Sequence, residues 1–113
     1  GGLMAGSAAV VAWRRIGAEF GRLPSAEIQR WLDDALLELD TTAYGNNITR
    51  AQVYLGCHLL KMTRMAEEGA DLVFPVDDPD GDLKQTMYGR SLLRLRSQSA
   101  DSAPTYLSIL TIT

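Results

Sequence analysis

Cys57 and His58, the chain's only cysteine and only histidine, are neighbours in the sequence. A thiol and an imidazole perform nucleophilic catalysis when the ring nitrogen lies within hydrogen-bond reach of the sulfur. Both residues fall in a stretch that reads as helix, where successive side chains point about 100° apart. Adjacency therefore does not supply the required geometry. His58 falls instead beside Tyr54 on the apolar stripe of that helix, the expected place for a buried, hydrogen-bonded imidazole. A single cysteine also leaves no intramolecular disulfide and no cysteine metal cluster, and it fits a reducing compartment.

Other patterns invite a chemical reading. Asp77-Asp-Pro-Asp-Gly-Asp82 looks superficially like a calcium loop. Placing Gly81 at the sixth loop position puts Val76 at the first ligand position and Met87 where the bidentate glutamate belongs. The register fails at both ends, and a solvated acidic loop is the better account. Gly17 to Gly21 lacks the Gly-Lys-Ser/Thr run and the preceding strand of a phosphate loop. Arg90 and Arg94 lie four apart on one helix face with no acid at matching spacing. They suit an acidic partner surface or nucleic-acid phosphate, or are ordinary exposed arginines. Trp31, Tyr54 and Tyr88 sit on apolar helix faces, where core packing outweighs a binding platform. No residue is expected to be catalytic, and no metal or cofactor is expected.

The charge distribution says more than its sum. A net charge of −3 argues against a general nucleic-acid binder. From Glu67 to Asp82 there are seven acids and no base, and from Lys84 to Arg96 four bases and no acid. These segments are placed to pair within the chain or between subunits, or else are solvated faces. With 113 residues, 46% apolar and 22% charged, the chain suits one folded domain with a modest core. Its longest apolar run, Ala8 to Trp13, is far too short to cross a bilayer. No basic stretch precedes that run, which argues against a secretory signal.

The elements that would position these residues are mostly helical. Ser7 to Phe20 reads as a helix weakened by Gly17, and Gly21 to Pro24 as a break. Ser25 is placed to cap a strongly periodic helix carrying Ile28, Trp31, Leu32, Ala35, Leu36 and Leu39 on one side. That helix ends near Asp40 to Thr42. Tyr44-Gly45-Asn46-Asn47 is a turn. Thr49 to Glu68 forms the next helix, with Ala51, Tyr54, Leu55, His58, Leu59, Met62 and Met65 as its stripe, and Gly69 stops it. Residues 70–84 read as an acidic loop, with a possible short strand at Leu72-Val73-Phe74. Thr86 or Gln85 opens a helix to about Ser97, with Tyr88, Leu92 and Leu95 aligned. Ser97 to Pro104 is a polar linker, and residues 105–113 read as a strand or extended arm. The fold expected is all-α: three to four helices over 1–97, an acidic loop, and a linker with an extended C-terminal arm over 98–113. The expected core is Trp31, Leu32, Leu36, Tyr54, Leu55, His58, Leu59 and Tyr88. The expected interface is Arg90 and Arg94 with Tyr106, Leu107, Ile109, Leu110 and Ile112 of the arm.

A family resemblance runs through the same elements. Leu23-Pro-Ser-Ala-Glu-Ile28 leads into Trp31-Leu-Asp-Asp-Ala-Leu36. Tyr44-Gly45 follows, then Ala51-Gln-Val-Tyr-Leu-Gly-Cys-His-Leu-Leu60, and later Thr86-Met-Tyr-Gly-Arg-Ser-Leu-Leu-Arg-Leu95. In order and spacing this resembles the head–tail connector proteins of tailed phages, also called adaptor or head-completion proteins, over roughly residues 20–96. The family has a Gly/Ser-rich, strand-like insertion between its last two helices. This chain departs from it with the acidic, proline-containing segment 70–84.

The resemblance implies a structural role and no reaction. Such proteins form a ring beneath the twelvefold portal of the capsid, extend the DNA channel and dock neck or tail-terminator proteins. Tyr54, His58, Tyr88 and Gly89 would carry over as fold-defining positions. The implied partners are a homo-oligomeric ring, the portal and neck or tail proteins. DNA would pass without sequence-specific binding, and no membrane is involved. The implied location is the head–tail junction of a virion assembled in the host cytoplasm. Acidic segments facing such a channel would repel DNA phosphate and keep it moving. The rival reading from composition alone is a cytoplasmic helical interaction or regulatory module, with a small hydrolase further behind.

Overall fold

Leu55, Gly56, Cys57 and His58 are all buried in the middle of the helix Ile48–Glu67. Four successive helical positions span about 300° of the circumference, so this helix has to be covered on several sides. The computed structural model describes the backbone of residues 8–70 and 77–112 and the side chains of 8–70 and 77–99. It shows α1 (Ala8–Ile16), α2 (Ser25–Glu38), the single turn α3 (Thr41–Tyr44), α4 (Ile48–Glu67) and α5 (Met87–Ile112). Short 3-10 turns lie at Ala18–Phe20, Gly45–Asn47 and Leu83–Gln85. There is no strand among the described residues, and the fold is a small all-α bundle.

Helix α4 is the central element. Helices α1, α2 and α5 all pack on it, while α2 and α5 barely meet each other. One side of α4 contributes Val53, Cys57 and Leu60 to a cluster with Val10, Trp13, Phe20, Ile28, Leu32 and Tyr88. Another side contributes Ala51 and Leu55 to a cluster with Ala35, Tyr44, Leu92 and Leu95. Close approach explains Gly56. A β-carbon there would come within 2.8 Å of the Trp13 ring, under van der Waals contact, so a larger residue would push α1 away. Gly45 (φ 53°) and Gly69 (φ 82°) take the left-handed conformation at the turn and at the end of α4, where a side chain would be strained.

The structure corrects four expectations. Ser25 does not cap α2. The Ile28 amide donates to the Pro24 carbonyl, which makes Pro24 the cap residue, and the Ser25 hydroxyl is held by Arg14 at 2.9 Å. Leu36 is 41% exposed. The buried residues of α2 are Ile28, Leu32 and Ala35, and Leu36 lies about 70° from the centre of that stripe. Trp31, Tyr54 and Leu59 are half-buried and pack at the edges of the two clusters. Lastly, the extended arm is a helix: α5 continues unbroken through the expected linker to Ile112. Strand-forming side chains without a strand partner leave their backbone groups unpaired. A helix already nucleated at Met87 pairs them internally, one bond for each residue added except Pro104, which has no N–H. The side chains of Tyr106, Leu107, Ile109, Leu110 and Ile112 lie outside the described residues, as does the segment Leu72-Val73-Phe74.

The difference between two leucines of α2 is testable. Leu32, fully buried, should cost about 2–5 kcal/mol when cut to Ala. Leu36→Ala in the isolated chain should cost less than about 1 kcal/mol. Chemical denaturation of both variants checks the order, and equal losses would show that α2 packs through a different face.

Candidate functional site

Helix α5 begins at a junction that ties three parts of the chain together. Thr86 is extended (φ −127°, ψ 157°) immediately before the first helical residue. Its hydroxyl oxygen accepts the Gly89 amide at 2.9 Å, the bond expected of a threonine helix cap. The same hydroxyl lies 2.6 Å from Nδ1 of His58 on α4. Beside the Gly89 amide the hydroxyl can either donate to Nδ1 or accept from it, according to the ring tautomer, and the other ring nitrogen, Nε2, faces an Asp82 carboxylate oxygen 3.9 Å away. His58 is 1% exposed, and burial outweighs Asp82 in holding its pKa below the ordinary 6.5.

Glycine is required at 89 by space. A β-carbon there would fall on the carbonyl of Leu83, in the 3-10 turn that crosses the helix start. Tyr88 points the other way. Its hydroxyl donates to Glu19 at 2.5 Å, and the other Glu19 oxygen accepts from Lys61 of α4 at 2.8 Å. Lys61 first, then Tyr88, hold the Glu19 carboxyl below its usual range. Burial, reinforced by this carboxylate, raises the Tyr88 phenol. Phe20 stacks between Trp13 and Tyr88, and Arg64 lies over its ring at 5.1 Å.

The remaining candidates fall into place around this junction. Cys57 is fully buried against Trp13, Phe20 and Gly17, and desolvation pushes its thiol up to about 12. It and His58 point into different surroundings, so the thiol has no base. The acidic and basic segments pair within the chain. Asp78 accepts from Lys84 at 2.6 Å. Arg96 binds both oxygens of Asp80, at 3.2 and 2.7 Å, and this fork holds the Asp80 carboxyl below its usual range. Arg90 and Arg94 stay exposed. Arg90 reaches only the Lys84 carbonyl, at 3.4 Å. Among the described residues no group of His, Cys, Asp and Glu is placed to hold a metal ion. No described helix is long and apolar enough to cross a membrane. Sequence reasoning missed Glu19, because its partners Tyr88 and Lys61 lie 69 and 42 positions away. Thr86 carried a local signal, a threonine three positions before Gly89.

The chain matches no protein-family model, no curated protein and no solved structure.

The junction predicts a substitution pattern. Thr86→Val removes the cap and the His58 bond together and should cost about 2 kcal/mol or more. Thr86→Ser keeps both and should cost less than about 1 kcal/mol. Comparable losses for the two would show that the hydroxyl is not the tie.

It also predicts a pH response. Unfolding frees His58 to titrate at 6.5, above its folded value. As pH falls through 6.5 the unfolded state binds more protons, so stability drops; at higher pH neither state is charged. Glu19 and Asp80, with lowered carboxyl pKa values, add further losses only below their ordinary 4.5 and 3.8. The melting temperature should therefore fall between about pH 7 and pH 5.5. His58→Gln should flatten that interval. A variant that keeps the full slope would assign the response elsewhere.

Proposed function

We propose that this chain is a structural head–tail connector of a tailed bacteriophage. Copies form a ring beneath the portal, extend the DNA channel and present a surface to neck or tail proteins. One observation carries the reading most. Three of the four positions that the motif resemblance marks as fold-defining, His58, Tyr88 and Gly89, converge on the junction between α4 and α5. The fourth, Tyr54, packs against the adjoining cluster. A motif most of whose residues serve one helix junction suits a scaffold, and scaffolds of this size act through their surfaces. Two exposed arginines on α5 and exposed leucines on α2 provide such surfaces.

The chain's location in a particle tests the proposal. Antibody raised against the chain should label the head–tail junction of intact virions. Portal complexes released from those virions should carry on the order of twelve copies. Unlabelled virions, with the chain recovered in a one-to-one cytoplasmic complex, would exclude the connector role and favour the interaction-module alternative.

A further inference from the structure

Helices α2 and α5 pack on α4 and barely meet each other, so each turns a separate face to solvent. On α2 that face carries Asp33, Asp34, Leu37 and Glu38, all exposed, with Arg30 the one base at its N-terminal margin. Leu37 is 86% exposed. On α5 the face carries Met87, Arg90 and Arg94, with Met87 59% exposed. The side chains of Asp34, Glu38 and Arg94 bond to no described residue.

The two faces are complementary in charge and in spacing. Asp34 and Glu38 are four residues apart, as are Arg90 and Arg94, so each pair is spaced by about 6 Å along its helix. Each pair is flanked by an exposed apolar side chain, Leu37 on one face and Met87 on the other. Burying such side chains at the centre with opposite charges around them is the usual anatomy of a specific contact. Two acids of the loop are not available for the arginines, because Lys84 and Arg96 already hold Asp78 and Asp80. Within one chain no bond joins Asp34 or Glu38 to Arg90 or Arg94, so the two faces can pair across two molecules. A contact that joins different surfaces is heterologous, and repetition closes it into a ring when the rotation allows.

We infer that the α2 face of one copy docks on the α5 face of the next, with Asp34 and Glu38 against Arg90 and Arg94 around Leu37 and Met87. The partner is a second copy of this chain. The inference rests on the ring proposed above and names the surface that builds it.

Paired charge reversals test it on the intact chain. Arg90→Glu with Arg94→Glu makes both faces acidic, and Asp34→Lys with Glu38→Lys makes both basic. All four positions are exposed, and circular dichroism checks that both variants fold. In sedimentation velocity each variant alone should lose more than about tenfold in self-association against the unsubstituted chain. The equimolar mixture should recover it, since every junction then joins an acidic face to a basic one. A mixture that stays dissociated overturns the inference, as does either variant assembling alone at full strength or an unsubstituted chain that is monomeric at every concentration. Portal-bound rings built from one variant alone would remove this contact and leave the connector reading standing. Absence of the chain from virions would remove the connector reading itself.

Discussion

The hydroxyl of Thr86 holds the two longest helices in a fixed relation. It accepts the Gly89 amide and shares a hydrogen bond with His58, so one oxygen belongs at once to the cap of α5 and to the interior of α4. This fixes where α5 starts, and the Tyr88 bond to Glu19 fixes its rotation. Rotation decides the rest. With Tyr88 turned inward, Leu92 and Leu95 follow at helical spacing into the core, and Arg90 and Arg94 are left facing solvent. The position of the Leu83 turn across the helix start excludes any side chain at Gly89, so the junction has little room for variation.

Burying a lone histidine in such a place has a defined cost. The imidazole is neutral, bonded through Nδ1 and nearly dry, and its charge state is coupled to folding. The same burial, applied to Cys57 one position earlier, makes an unreactive thiol. Adjacent residues that look like a catalytic pair in the sequence thus serve two different walls of one helix. The charged groups outside the core behave differently. Asp78 and Lys84 close the loop after residue 77 on itself, and Asp80 with Arg96 joins it to α5, all in exposed or half-exposed positions where screening limits what each pair contributes.

Much of the helical plan was legible in the amino-acid sequence, because α2, α4 and the first turns of α5 have clear 3.6-residue periodicity. The single-stripe reading of α4 was incomplete. It placed Leu55 and His58 in the interior but omitted Val53, Cys57 and Leu60, since a helix covered on several sides has no single stripe to find. Leu36 misled for the opposite reason, an apolar residue at the margin of a stripe centred near Ile28. The last turns of α5 were misjudged because β-branched side chains express a local preference, while backbone pairing depends on partners the chain does not offer. Glu19 carried no local signal at all. The Thr-x-Tyr-Gly start of α5 was recognised as a motif, but its contacts with His58, Glu19 and Leu83 only emerge when distant segments are brought together.

The fold therefore has a buried junction that sets the orientation of α5 and with it the outward face that carries Arg90 and Arg94. On the connector reading proposed above, such a scaffold would work by joining copies of itself and neighbouring proteins. Reconstruction of the portal-bound assembly by electron cryomicroscopy tests that claim most directly. The account predicts a closed ring of subunits related by a single rotation, with α2 of each against α5 of the next. Isolated subunits on the portal, or a two-fold contact burying the same helix face on both sides, would contradict it.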